Sequence, residues 1–323
     1  MQYTRVPARS GPPKLDARVY ADLDELVRLQ FKAKGFSYLP RQPVHSVLYG
    51  RHASRLRGRG LNFEELRNYL PGDDIRNVDW KATSRTSRPQ VRVFTEERDR
   101  PVWLLVDQRV SLFFGSRDRL KSVTVAEAAA VSAWRSLGMG DRVGALVFDD
   151  TDIVEIKPQR SRNQVMHILG EVVRKNHRLR AGAGITPNPG IINDVLRRVL
   201  PQAKHDSLVV LISDVTGADD ESSRLVTQIN LHNDVILLFV YDPLEQALPD
   251  AGHLAMSDGT GQLEVNTGNA LLRRGFADQF QNHLQGMQTL SRKQAIPLLQ
   301  LSTERLVLDQ VREQLGFSKA RRF

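Results

Sequence analysis

The sequence predicts an α/β protein, with a doubly wound, mostly parallel sheet behind a smaller N-terminal β-rich module. Three observations carry this. Four short, nearly continuous apolar runs follow one another after residue 101: "VWLLVD", "RVGALVFDD", "SLVVLISDV" and "DVILLFVYD". Runs of this kind are strands buried on both faces. Segments of helical period lie between them, and strands alternating with helices build parallel βαβ units. Before residue 101 the pattern changes to short alternating stretches and turn signals.

Residues 1–14 are Pro-rich and polar and read as a loose arm. Residues 15–100 read as a helix followed by the β-rich module. Leu15, Val19, Leu23, Leu26 and Leu29 recur at helical spacing, and Gly35 stands just past the end. "QVRVFTEE" alternates as a strand does, and "LPGDD" and "SRP" signal turns. The main domain spans 101–316, and 317–323 is a short basic tail. Within the main domain "RLKSVTVAEAAAVSAWRSLGMG" carries Val123, Ala130, Trp134 and Leu137 on one face and ends at a Gly cap. "SRNQVMHILGEVVRKN", "NPGIINDVLRRVL" and "SSRLVTQINLHN" are further helices. "TDIVEIKP" follows "FDD" closely and pairs with the preceding strand as an antiparallel edge. A long helix from Asn269 to Ala295, a strand "IPLLQLS" and a last helix "ERLVLDQVREQL" complete the domain.

Composition narrows the function. No cysteine occurs in 323 residues, which removes disulfides, thiol nucleophiles and Cys-ligated metal centres. The first fifteen residues hold no apolar signal-peptide core. Apolar runs such as "VILLFVY" fall far short of the roughly 20 residues a membrane span needs. A cytoplasmic protein is the expectation. The net charge is +9, and residues 41–100 hold 13 Lys/Arg against 8 Asp/Glu. Arg51, Arg55, Arg57 and Arg59 crowd one acid-free decapeptide, which reads either as a patch for an anionic partner or as a solvated loop.

Ligands of open α/β sheets bind beyond the carboxyl ends of the strands. Asp107 and Asp214 stand at two such ends, Ser111 follows Asp107, and Thr186 lies in the Gly-rich loop "AGAGITPNPG". Two carboxylates and two hydroxyls are therefore expected on one rim, the oxygen donors that hard cations take. The alternative is that both aspartates only cap loops and helix starts.

This set resembles the metal-ion-dependent adhesion site of von Willebrand factor A domains, written Asp-x-Ser-x-Ser, then Thr, then Asp. Asp107, Ser111, Thr186 and Asp214 match, and Arg109 replaces the middle serine. The resemblance implies Mg2+ or Mn2+, completed by an acidic residue of a bound partner. Arg109 opposes that. A unit charge and a divalent ion about 4 Å apart repel by roughly 8 kcal/mol at an effective dielectric of 20. If Arg109 turns inward it can pair with Asp107 or Asp214 and serve as a built-in cation; if it swings outward, Ser111, Thr186 and Asp214 can still hold a weak ion.

The stretch from "GRGLNFEELRNYLPGDDIRNVDWKATSR" to "PVWLLVD" resembles the signature of domain-of-unknown-function family fifty-eight, over roughly residues 15 to 316. That resemblance implies no enzymatic activity. It implies a companion of MoxR-type AAA+ ATPases and of other von Willebrand A-domain proteins, acting in assembly or chaperone-like work. An anionic membrane surface is a further expected partner, which would place the protein peripherally at the inner membrane.

Asp73, Asp74, Asp79 and Lys81 offer a competing reading as a nuclease acid cluster beside the basic 51–60 segment. Pro-Gly-Asp-Asp is a turn signature in its own right, which favours structural roles paired with Arg67, Arg76 or Arg85, and Trp80 is expected to pack against the neighbouring domain rather than stack on a base. No G-x-x-x-x-G-K-[ST], G-x-S-x-G or H-E-x-x-H occurs, so no nucleotide site or hydrolase motif is expected. His167 and His177 fall on or beside a helix, where packing roles suffice. A non-enzymatic adaptor leads, with nucleic-acid binding or nuclease action as the alternative.

Overall fold

The computed structural model describes residues 16–36, 61–70, 75–86, 88–96, 100–180, 184–257 and 262–316. The arm, Arg51, Arg55, Arg57, Arg59, Asp73, Asp74 and the basic tail lie outside the described residues. The chain divides into a larger unit, Met1–Tyr38 with Arg100–Phe323, and a smaller one, Leu39–Asp99.

In the larger unit, helix α1 (Leu23–Lys32) starts where the Asp22 carboxylate accepts the Glu25 N–H, which satisfies one orphan donor of the first turn. The helix is shorter than the apolar spacing from Leu15 implies, because this cap fixes its start. α1 does not group with the residues up to 100. Leu26 and Phe36 are buried, and the Trp134 indole donates to the Leu26 carbonyl, so α1 is part of the main core.

Six strands form the central sheet in the order β10-β7-β6-β3-β4-β5. They are β3 (Pro101–Asp107), β4 (Arg142–Phe148), β5 (Ile153–Gln159), β6 (Leu208–Ser213), β7 (Asp234–Tyr241) and β10 (Leu298–Ser302). All neighbours run parallel except β5, which turns back on β4 as the edge expected from "FDDTD". Alternating side chains leave opposite faces of each strand. Trp103, Leu105, Leu146 and Phe148 pack with helices α5 (Ile191–Val199), α6 (Asp220–Asn230) and α8 (Ala270–Gln294). Val102, Leu104 and Val106 leave the other face, which belongs to α3 (Lys121–Gly138), α4 (Arg162–Asn176) and α9 (Val307–Gln314). Helices on both faces of a mostly parallel sheet make this the doubly wound architecture the sequence predicts. A short helix α7 (Pro243–Gln246) and a hairpin of β8 (His253–Ser257) and β9 (Gln262–Asn266) precede α8; the sequence reading had not anticipated the hairpin. Among the described residues no helix is long and apolar enough to cross a membrane.

The smaller unit holds an antiparallel pair, β1 (Leu61–Asn68) and β2 (Gln90–Glu96), with a bulge between Phe63 and Glu65. Between them lies helix α2 (Trp80–Thr86). This helix corrects the expectation of short strands and turns alone over these residues. The Asp79 carboxylate accepts the N–H groups of Lys81 and Ala82 and so opens the helix. The Trp80 side chain, expected to be packed, is 68% exposed.

Candidate functional site

From β3 the chain moves to β4 on one side, then crosses back to β6 on the other. The order reverses between β3 and β6, the position where doubly wound sheets open a crevice. Parallel pairing of Val106 with Ile212 brings Asp107 and the Ser213–Asp214 pair side by side at that crevice.

Arg109 lies inward. Its Nε donates to both Asp107 oxygens at 3.0 Å, and its Nη2 to Asp107 Oδ2 at 2.7 Å. Nη1 donates to the Thr216 carbonyl at 2.9 Å, and Nη2 stands 3.5 Å from Asp214 Oδ1. The Arg109 backbone N–H also binds Asp107 Oδ1, and the Ser213 hydroxyl donates to Asp107 Oδ2. A second cation completes the cluster. Lys121, the first residue of α3, donates to Asp214 Oδ2 at 3.1 Å and to Glu245 Oε1 at 2.6 Å. A lysine at a helix N-terminus opposes the helix dipole, so the two carboxylates have to offset that as well as its burial.

The electrostatics follow this geometry. Burial works against every charge here. For Asp107 burial wins: it and the neighbouring Asp214 charge raise the carboxyl above its ordinary value, although Arg109 and the Ser213 hydroxyl pull it back. For Asp214 burial is outweighed by Lys121, Arg109 and the Thr216 N–H, which hold it at about 2. Burial would lower Arg109 and Lys121, but their carboxylate partners raise both above their ordinary values. Both cations stay charged.

Three loops close over this cluster. At the end of β4, Asp150 accepts the Val110 N–H at 2.7 Å and the Asn188 N–H at 2.9 Å. Gly217, at φ +84°, lies so close to Pro189 that an added Cβ would stand 2.3 Å from the proline Cβ. Val215 sits at φ 48°, a region β-branched residues avoid, and its N–H is held by Ser213 Oγ.

Of the residues anticipated at this rim, Asp107 and Asp214 come together with Arg109 between them. The Ser111 hydroxyl is buried without a hydrogen-bond partner. Thr186 is exposed and makes no hydrogen bond to the other three among the described residues. A divalent ion does not fit this donor set as arranged. The Asp107 oxygens face a guanidinium and Asp214 is shared by two cations, so an ion within 4 Å of either would meet repulsion of several kcal/mol. Among the described residues no group of three or more His, Asp or Glu could hold a metal. Lys121, Ser213, Glu245 and Asp150 were not anticipated. Lys121 carried one signal, a charged residue on the buried stripe of an otherwise apolar helix face.

The rim loop is also tied to α1. Gln108 donates to the Ser122 carbonyl and accepts from Asn176, whose own oxygen accepts the Ala21 N–H. His177 bonds the Ala21 carbonyl and meets Tyr20 edge-on, and Tyr20 in turn leans on Phe113 of the rim loop.

The model of the family described as "Protein of unknown function DUF58" matches residues 65–286. Uncharacterized proteins Rv1480 of Mycobacterium tuberculosis and Mb1516 of Mycobacterium bovis are each 30% identical over 306 residues, 94% of this chain and 93% of theirs. A solved structure, the conserved hypothetical protein BatB of Bacteroides thetaiotaomicron, is similar at a TM-score of 0.38 and 12% identity, covering 67% of this chain and 99% of that one.

Proposed function

This chain belongs to the family described as protein of unknown function DUF58, and from that premise we propose that it is a non-enzymatic adaptor that binds a partner through the carboxyl rim of its sheet. Arg109, lodged between Asp107 and Asp214 with Lys121 beside it, carries this reading. Asp107 and Asp214 are turned toward Arg109 and Lys121 of their own chain. They fix the geometry of three loops, which is what a docking surface needs. In this reading the site is a von Willebrand A-like adhesion site whose metal has been replaced by a cation of its own chain.

The partner class this reading favours is a MoxR-type AAA+ ATPase, engaged without magnesium. The nucleic-acid alternative has less to stand on, since the Asp79 carboxylate is spent on capping α2. Affinity purification of the tagged full chain from native cells, once with magnesium and once with a chelator, tests the proposal. An AAA+ ATPase should be recovered equally in both. Recovery in neither sinks the adaptor reading, and recovery only with magnesium sinks the built-in cation.

A further inference from the structure

Beside the rim lies a cleft of about 340 Å³. One wall is α8, where Phe276, Phe280 and His283 follow at i, i+4 and i+7 and so share a face. Phe280 meets Phe239 at 6.2 Å and Tyr241 at 5.6 Å between ring centroids, and His283 meets Phe239 at 6.0 Å. Asp214, Thr216 and Glu245 of the rim line the same cleft. Aromatic rings and a carboxylate in one cleft are the surroundings of a bound organic cation.

Charge gives the sign of the occupant. Asp214 and Glu245 share Lys121, and Glu245 is the carboxylate of the cluster that reaches the cleft opening. The two cations are withdrawn, with side chains only 2% and 3% exposed, whereas Glu245 is 30% exposed. An entering group meets Glu245 and the rings first. Glu245 gives one oxygen to Lys121 and the other to the Asp242 N–H, and each oxygen keeps further acceptor capacity.

We propose that this cleft receives an arginine side chain of the partner protein, the opposite in charge of the acidic residue that a metal-dependent adhesion site takes. The inference rests on the adaptor reading above and adds the chemistry of what docks. Arginine fits better than lysine. Its planar guanidinium stacks on ring faces while its fork meets a carboxylate, and it is less strongly hydrated than an ammonium.

The test uses the full chain labelled with 4-fluorophenylalanine and titrated with N-acetylarginine amide. Fluorine resonances of Phe276 and Phe280, assigned with Phe276→Leu and Phe280→Leu, should shift and saturate. N-acetylcitrulline amide, similar in shape but uncharged, should leave them in place. Glu245→Gln should weaken the arginine titration about tenfold, as loss of a hydrogen bond to a charged group does. Phe276→Leu, which keeps the charge and removes a ring, should weaken it as well, and other fluorine signals report whether each variant is folded. Equal response to citrulline, no effect of Glu245→Gln, or binding of N-acetylaspartate amide with magnesium in place of arginine overturns the proposal. Glu245→Gln should also reduce capture of the partner from cells, and undiminished capture overturns it too. If a partner is captured and the arginine probe does nothing, this inference alone falls; if the probe binds and no partner is captured, the adaptor reading falls.

Discussion

Arg109 fills with one side chain the space between two carboxylates that would otherwise repel across the β3–β6 crevice. Its pairing with Asp107 is close to fully buried on both sides. A buried ion pair is weak evidence of net stabilisation, since removing charges from water costs several kcal/mol each. Breaking one is different, because the remaining charge keeps its burial and loses its partner. Arg109→Met should therefore cost about 3–5 kcal/mol in urea unfolding. Adding Asp107→Asn should recover part of that loss, because an uncharged amide no longer needs the guanidinium and still faces Ser213 Oγ. If Arg109→Met loses less than about 1 kcal/mol, or the second substitution only adds to the loss, the charge balance assigned to this pair is wrong.

The elements that carry the rim were legible in unequal measure. Strands β3, β4, β6 and β7 were visible because both faces are covered, so their sequences are apolar without interruption. The positions of Asp107 and Asp214 followed from them, since a polar residue closing such a run sits at the carboxyl rim. Helix α2 was hidden: "WKATSRT" has no apolar period, and the Asp79 cap makes the helix. The β8–β9 hairpin was hidden because two five-residue strands of mixed polarity carry little signal. Lys121 and Glu245 could not be paired from sequence, because 124 positions separate them and only the fold brings them together. Gly217 shows the same limit, since its need to be glycine comes from Pro189 in another loop. An alanine there meets proline backbone atoms and a positive φ together, so Gly217→Ala should destabilise by more than the ~1 kcal/mol that φ strain alone costs. Hydrogen exchange localises the effect. Faster exchange of the Val110 and Asn188 amides, which Asp150 holds, is expected, with the central strands unchanged. Slowed or unaltered exchange at both amides would mean that the three loops are not closed as one structure.

At the scale of the whole molecule, the main unit is discontinuous: α1 precedes the small unit in sequence, yet its side chains complete the core formed after residue 100. Leu26 and Phe36 are nearly fully buried, and full burial of such side chains stabilises by about 1.5–3 kcal/mol each. The Ala21 N–H and the Trp134 indole add bonds whose loss would leave buried polar groups unpaired. Arg312 of α9 reaches the carbonyls of Lys32 and Lys34 as well. Two shortened chains separate this contribution from that of the small unit. Removing residues 1–99 takes away α1 together with the module, whereas replacing 39–99 by a flexible Gly/Ser linker removes the module and keeps α1. The small unit supplies none of these contacts, so the linker chain should unfold at a urea midpoint near that of the full chain. The chain lacking 1–99 should lose several kcal/mol, the combined burial of Leu26 and Phe36. Because Asn176 joins Ala21 to Gln108 in the rim loop, that chain should also exchange the Gln108 amide faster. Equal midpoints for the two shortened chains would show that α1 is an attachment to the main unit rather than part of its core.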